Sequence, residues 1–100
     1  MLLHTVNKSP LTHQTLSNCL TYATAGSSVL LIEDGVYGAL ENTQASDLIN
    51  SAIHNGINVY VLEADVQARG LQQLINGVEK VDYAGFVTLV TQHSNTQSWF

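Results

Sequence analysis

Cys19 is the single soft nucleophile in this 100-residue sequence, and its chemistry depends on its surroundings, because the thiolate attacks and the thiol does not. It is expected on the first helix, on one arc with Thr12, Leu16, Leu20 and Ala23, which places it on or beside the buried face. His13 stands six residues earlier, about 240° round that helix, so the two cannot pair as a Cys-His couple within it. A mid-helix position also lacks help from the positive helix end. The residues alone therefore read as a buried structural cysteine, with a reactive one as the alternative.

The second candidate is the acidic pair and glycine Glu33, Asp34 and Gly35, directly after the apolar run Val29 to Ile32. In open α/β sheets the carboxyl edge of the strands is where ligands and partners meet the protein. The plainer role is that both carboxylates only cap the helix that follows and favour its positive end. His4, His13, His54 and His93 never approach the spacing of a helical or hairpin metal site, so each is expected at the surface or a helix end and no metal is implied. GxGxxG, Walker-type and GxSxG patterns are missing, and with them the usual sequence signs of dinucleotide, nucleotide or esterase chemistry; no cofactor is expected. A phosphoreceiver domain would share the architecture, but this chain is short for one and its acidic pair follows the second strand rather than the first.

These residues need a frame. Val29 to Ile32 is too short and too uniformly apolar for an amphipathic helix and suits a central parallel strand covered on both faces. Ile57 to Leu62 is a second such strand, and Leu2 to Val6 a third at the start. Ser9-Pro10 predicts a helix start, running to about Ala25 with Gly26 as its stop. A short helix follows Gly35. Further helices are expected over Ser46–His54, with Ser46 as its cap, and over Glu63–Arg69, with another turn over Leu71–Ile75. Glu79 to Asp82 is a weak strand, Asp82 caps a helix over Tyr83–His93, and Thr96 to Phe100 alternates like an edge strand. Strands alternating with helices imply right-handed βαβ connections. The expected fold is one α/β domain over residues 1–100: three layers, a mostly parallel twisted sheet with helices on both faces.

Composition limits the function. Apolar residues make up 45% of the chain and charged ones only 11%, which favours a surface partly covered by other subunits. Three basic against eight acidic residues, net −5, argue against direct binding to nucleic acid or anionic lipid. A basic n-region and an apolar run near about 18 residues are both missing, so neither a signal peptide nor a membrane span is expected. The lone cysteine suits the cytoplasm.

LHTVNKSP, VLLIEDGVYGAL, VYVLEADVQARG, VDYAGFVTLV and the terminal QSWF, in that order, resemble the DsrH and TusB family of sulfur-relay proteins over nearly the whole chain. The resemblance implies a DsrE-like fold and a cytoplasmic heterohexamer with two copies each of DsrE/TusD-like, DsrF/TusC-like and DsrH/TusB-like subunits. It also implies relay of persulfide sulfur to a DsrC-like or TusE-like acceptor, for tRNA wobble 2-thiouridine synthesis or for dissimilatory sulfur oxidation. The main sulfur-carrying cysteine is then expected on the DsrE/TusD-like subunit. SNCL at Ser17 to Leu20 and the opening HTVNKSP resemble the DsrH side, which makes Cys19 a candidate secondary sulfur carrier.

Three readings follow. The chain is a relay subunit carrying sulfur on Cys19; or an assembly subunit of the same complex with Cys19 buried; or a free-standing small-molecule binding domain at the Glu33–Gly35 edge.

Overall fold

The computed structural model describes all 100 residues. Five strands, β1 (Leu2–Val6), β2 (Ser28–Leu31), β3 (Asn58–Leu62), β4 (Glu79–Val81) and β5 (Asn95–Trp99), form one sheet in the order β4-β3-β2-β1-β5. Every neighbouring pair is parallel, so the sheet is wholly parallel, not just mostly. The helices are α1 (Thr15–Tyr22), α2 (Ser46–His54), α3 (Glu63–Ala68) and α4 (Tyr83–Gln92), with a 3-10 segment over Glu33–Ala39.

β2 lies at the centre because its side chains suit burial on both faces. All four of its residues are buried, and a fully buried Val or Leu side chain contributes roughly 1.5–3 kcal/mol. The turns that lead into β2 and β3 are tied together: the N–H of Gly26 donates to the carbonyl of Gly56 at 2.8 Å. Both glycines sit at positive φ, +88° and +87°, where a side chain would be strained.

The two faces are covered unequally. Val6, Val29, Leu31, Val59 and Val61 pack with Leu16 and Cys19 of α1, Ile49 and Ala52 of α2, Val36 and Ala39 of the 3-10 segment and Val66 of α3. On the other face Leu3 and Leu30 pack with Leu89 of α4, with Phe86, Tyr60, Ile32 and Val81 at the margin. The expected layers are present, but α4 alone forms the third. Its outer side leaves Tyr83 and Val87 each 63% exposed and Val90 41% exposed, on a helix with no charged residue.

Several expectations need correction. The first helix begins at Thr15, not near Pro10, and ends at Tyr22, before Ala25. Before it, Ser9 Oγ accepts the Leu11 N–H, while the Ser9 carbonyl accepts from the Thr12 and His13 N–H groups. Local side-chain bonds of this kind compete with helix propagation. Ser46 does not cap α2: its hydroxyl donates to the Leu40 carbonyl and accepts the Thr43 N–H, which fixes the preceding turn. Leu71 to Ile75 is no helical turn either. The Ile75 N–H donates to Ala39 and the Glu41 N–H to Gln73, so this stretch pairs with the end of the 3-10 segment in an antiparallel bridge, Leu40 to Leu74. Asp82 does cap α4, accepting the Gly85 N–H at 2.7 Å.

Candidate functional site

The carboxyl ends of β1, β2 and β3 meet at the Glu33–Gly35 turn. The chain stays extended at Ile32, just past β2, and its N–H donates to the Val6 carbonyl at 3.0 Å, which binds this turn to the end of β1. Gly35 sits so close that a Cβ there would lie 2.1 Å from the Val6 carbonyl oxygen, so only glycine fits. This is a packing requirement.

Glu33 and Asp34 do not cap the segment they open, since no side-chain cap bond forms there. The capping carboxylate comes from another element. Glu33 takes φ +50°, and its freed N–H donates to Asp65 Oδ2 on α3 at 2.7 Å. Asp34 reaches the chain's only arginine: Arg69 Nε and Nη2 donate to Asp34 Oδ1 at 3.1 and 2.9 Å, and Arg69 Nη1 lies 3.6 Å from Asp65 Oδ1. Asp65 and Arg69 were missed by sequence reasoning because their partners lie more than 30 residues away. Their i,i+4 spacing on a short helix was the available signal.

The clefts of the molecule lie away from this edge, and Glu33, Asp34 and Gly35 line none of them. The edge reads as a braced corner with the Asp34 side chain 62% exposed, not as a small-molecule pocket.

Cys19 lies where the helix arc places it. It is fully buried among Leu16, Val6 and their neighbours, and that burial pushes its thiol up to about 12. A thiol of that kind holds almost no thiolate near neutral pH. The turn edge and the cysteine thus belong to different environments, one exposed and ionic, the other dry.

The histidine expectations divide. His13 and His54 are exposed, as expected. His4 is not: it is 2% exposed on β1, its Nδ1 accepts the Trp99 indole N–H at 3.1 Å, and its Nε2 has no partner. Burial lowers its pKa, so the neutral ring is favoured. His93 stands at the C-terminal end of α4, a helix end as expected, and is half-buried. Its Nδ1 meets the Leu89 carbonyl at 2.6 Å, so that nitrogen carries a proton, and Nε2 shares a hydrogen bond with Ser28 Oγ at 2.9 Å. The periodicity of helix and strand does not show such cross-chain partners. No group of three or more His, Cys, Asp or Glu side chains is placed to hold a metal ion.

A profile of the family described as DsrH like protein matches residues 8–96 of this sequence. The chain belongs to the DsrH-like family. Within the DsrH/TusB group it is similar to Protein TusB of Pectobacterium parmentieri, 34% identical over 99 residues, covering 98% of this chain and all of that protein. Protein TusB of Yersinia pestis (strain Pestoides F) is 36% identical over the same length and coverage. Among solved structures, the ychN protein of E. coli superposes with a TM-score of 0.84 at 15% identity, covering 97% of each chain. A protein of unknown function from Methanobacterium thermoautotrophicum gives 0.76 at 13% identity, covering 97% of this chain and 96% of that one. These two likenesses show that the chain shares the fold of those proteins. No helix in it is long and apolar enough to cross a membrane.

Proposed function

We propose that this chain is a subunit of a cytoplasmic sulfur-relay complex and that it serves assembly there, with Cys19 as a structural residue. Membership of the DsrH-like family and the likeness to TusB proteins support the relay. In such a relay a thiolate attacks the outer sulfur of a persulfide, the S–S bond breaks, and the donor leaves as a thiolate. The product pathway is tRNA 2-thiouridine synthesis, the branch of the TusB relatives, with dissimilatory sulfur oxidation as the other branch.

One observation carries the assembly role: the only thiol of the chain is fully buried and its pKa is raised by that burial. Sulfur transfer would then run through a cysteine of the DsrE/TusD-like subunit to a DsrC/TusE-like acceptor. The DsrF/TusC-like subunit completes the complex. The contact surfaces we assign to these sister chains are the uncharged outer side of α4, with Tyr83, Val87 and Val90, and the exposed Asp34 at the Glu33–Gly35 edge. Apolar surface on a charge-free helix suits a covered interface.

The test is a complex reconstituted with this chain as wild type or Cys19→Ala, loaded with a persulfide donor and read by intact-mass spectrometry. Transfer to the acceptor should persist in the variant, and no mass gain of one sulfur atom should appear on this chain. Loss of transfer from a normally assembled variant, or a sulfur adduct on Cys19, would establish the carrier role instead.

A further inference from the structure

The two edges of the sheet differ in how they are guarded. β4 is three residues long and carries Glu79 and Lys80, a short charged edge of the kind that discourages further pairing. β5 is five residues long, Asn95 to Trp99, with no charge and no proline. Its inner side pairs along its whole length with β1, from Leu2–Asn95 to Val6–Trp99, while its outer row of N–H and C=O groups has no neighbouring strand.

A cleft of about 440 Å³ opens beside this edge, lined by Leu2, His4, Tyr22, Gln97 and Trp99. Its aromatic walls are held in place. Tyr22 stands 5.8 Å from the Trp99 ring, and Trp99 is anchored from behind by its hydrogen bond to buried His4. Tyr22 nevertheless keeps 72% of its surface exposed, a large aromatic left beside an open edge.

We propose that the outer edge of β5 and this cleft together dock an extended, uncharged peptide segment of a partner protein. The segment adds as a sixth strand and seats one apolar side chain in the cleft, against the paired rings of Tyr22 and Trp99. Strand addition of this type takes its affinity from main-chain hydrogen bonds and its selectivity from a side-chain pocket. The chemistry of the occupant follows from the charge of the site. Neither β5 nor the cleft holds an ionised side chain, so a charged residue buried there would lose water without gaining a counter-ion. The net charge of −5 disfavours acidic segments further. This inference is independent of the role given to Cys19.

Trp99 is the only tryptophan, so its emission reports on the cleft. The probe is an N-acetylated, C-amidated hexapeptide of alternating threonine and leucine, titrated into the full chain. It should shift the emission saturably, and the same peptide N-methylated at alternate backbone nitrogens should bind at least tenfold more weakly. Tyr22→Ala should weaken binding at least fivefold with an unchanged melting temperature, and aspartate in place of the leucines should abolish it. Equal binding of the methylated or the aspartate peptide, or an emission unchanged up to millimolar peptide, would overturn the proposal. So would a dimer of the chain alone, in sedimentation, that Gln97→Lys dissociates, because the edge would then serve a second copy.

Discussion

Arg69 holds Asp34 Oδ1 with two nitrogens, Nε at 3.1 Å and Nη2 at 2.9 Å, and so ties the turn after β2 to the helix after β3. The pair is part-exposed, and pairs of that kind contribute about 0–1 kcal/mol. Asp65 does more, because it accepts the N–H of Glu33 at a backbone position with φ +50°. Asp65→Ala should therefore destabilise the fold by about 1–3 kcal/mol. Asp34→Ala should cost no more than about 1 kcal/mol. Urea unfolding of the two variants checks the order, and an equal or reversed ranking would contradict this account of the corner.

Gly35 provides a sharper test of the same corner. Its missing Cβ leaves room for the Val6 carbonyl, which a methyl group would approach to 2.1 Å. Backbone on both sides of the contact has little freedom to yield. Gly35→Ala should lose about 3 kcal/mol or more, or fail to fold, whereas Gly70→Ala meets nothing within 4 Å and should lose about 1 kcal/mol for its positive φ. Thermal melts of both variants would separate crowding from backbone strain.

Burial of Cys19 has a pH signature. Its folded pKa, about 12, lies above the ordinary thiol value of 9.0, so the contribution is full below pH 9 and is lost as pH rises from there towards 12. Denaturation at pH 8 and pH 10 should show a larger drop for wild type than for Cys19→Ala. Reaction with an aromatic disulfide reagent at pH 8 should be far slower for the folded chain than for the chain in urea. A thiol that reacts fully within the mixing time would show that the site opens.

His4 has the opposite sign. Its folded pKa is lowered by burial, so as pH falls through the ordinary histidine value of 6.5 the unfolded chain takes up the proton first and stability declines. Between pH 7.5 and 5.5 the melting temperature should fall more for wild type than for His4→Gln. Gln keeps an oxygen able to accept the Trp99 indole N–H. Parallel curves for the two would remove His4 from the acid sensitivity of the fold.

Local chemistry in the sequence was enough for the α/β layering, the two central strands, α2 and α4, and the burial of Cys19 on the inner arc of α1. Apolar runs and 3.6-residue periodicity carry that information within a dozen neighbouring residues. The same local rules failed where a distant group displaced the local partner. Asp65 took the capping place expected of Glu33 and Asp34, Ala39 to Glu41 drew Leu71 to Ile75 out of a helical turn, and Trp99 drew His4 inside.

The tertiary structure alone decided how the two faces and two edges of the sheet are finished. Strand order puts β5 beside β1 rather than beside β4, which leaves α4 as the sole cover of one face and brings Trp99 across the sheet to His4 and Tyr22. Periodicity fixes which side of a strand is apolar. It does not say which strand comes next to it, because that depends on how strands about 90 residues apart in the chain come together.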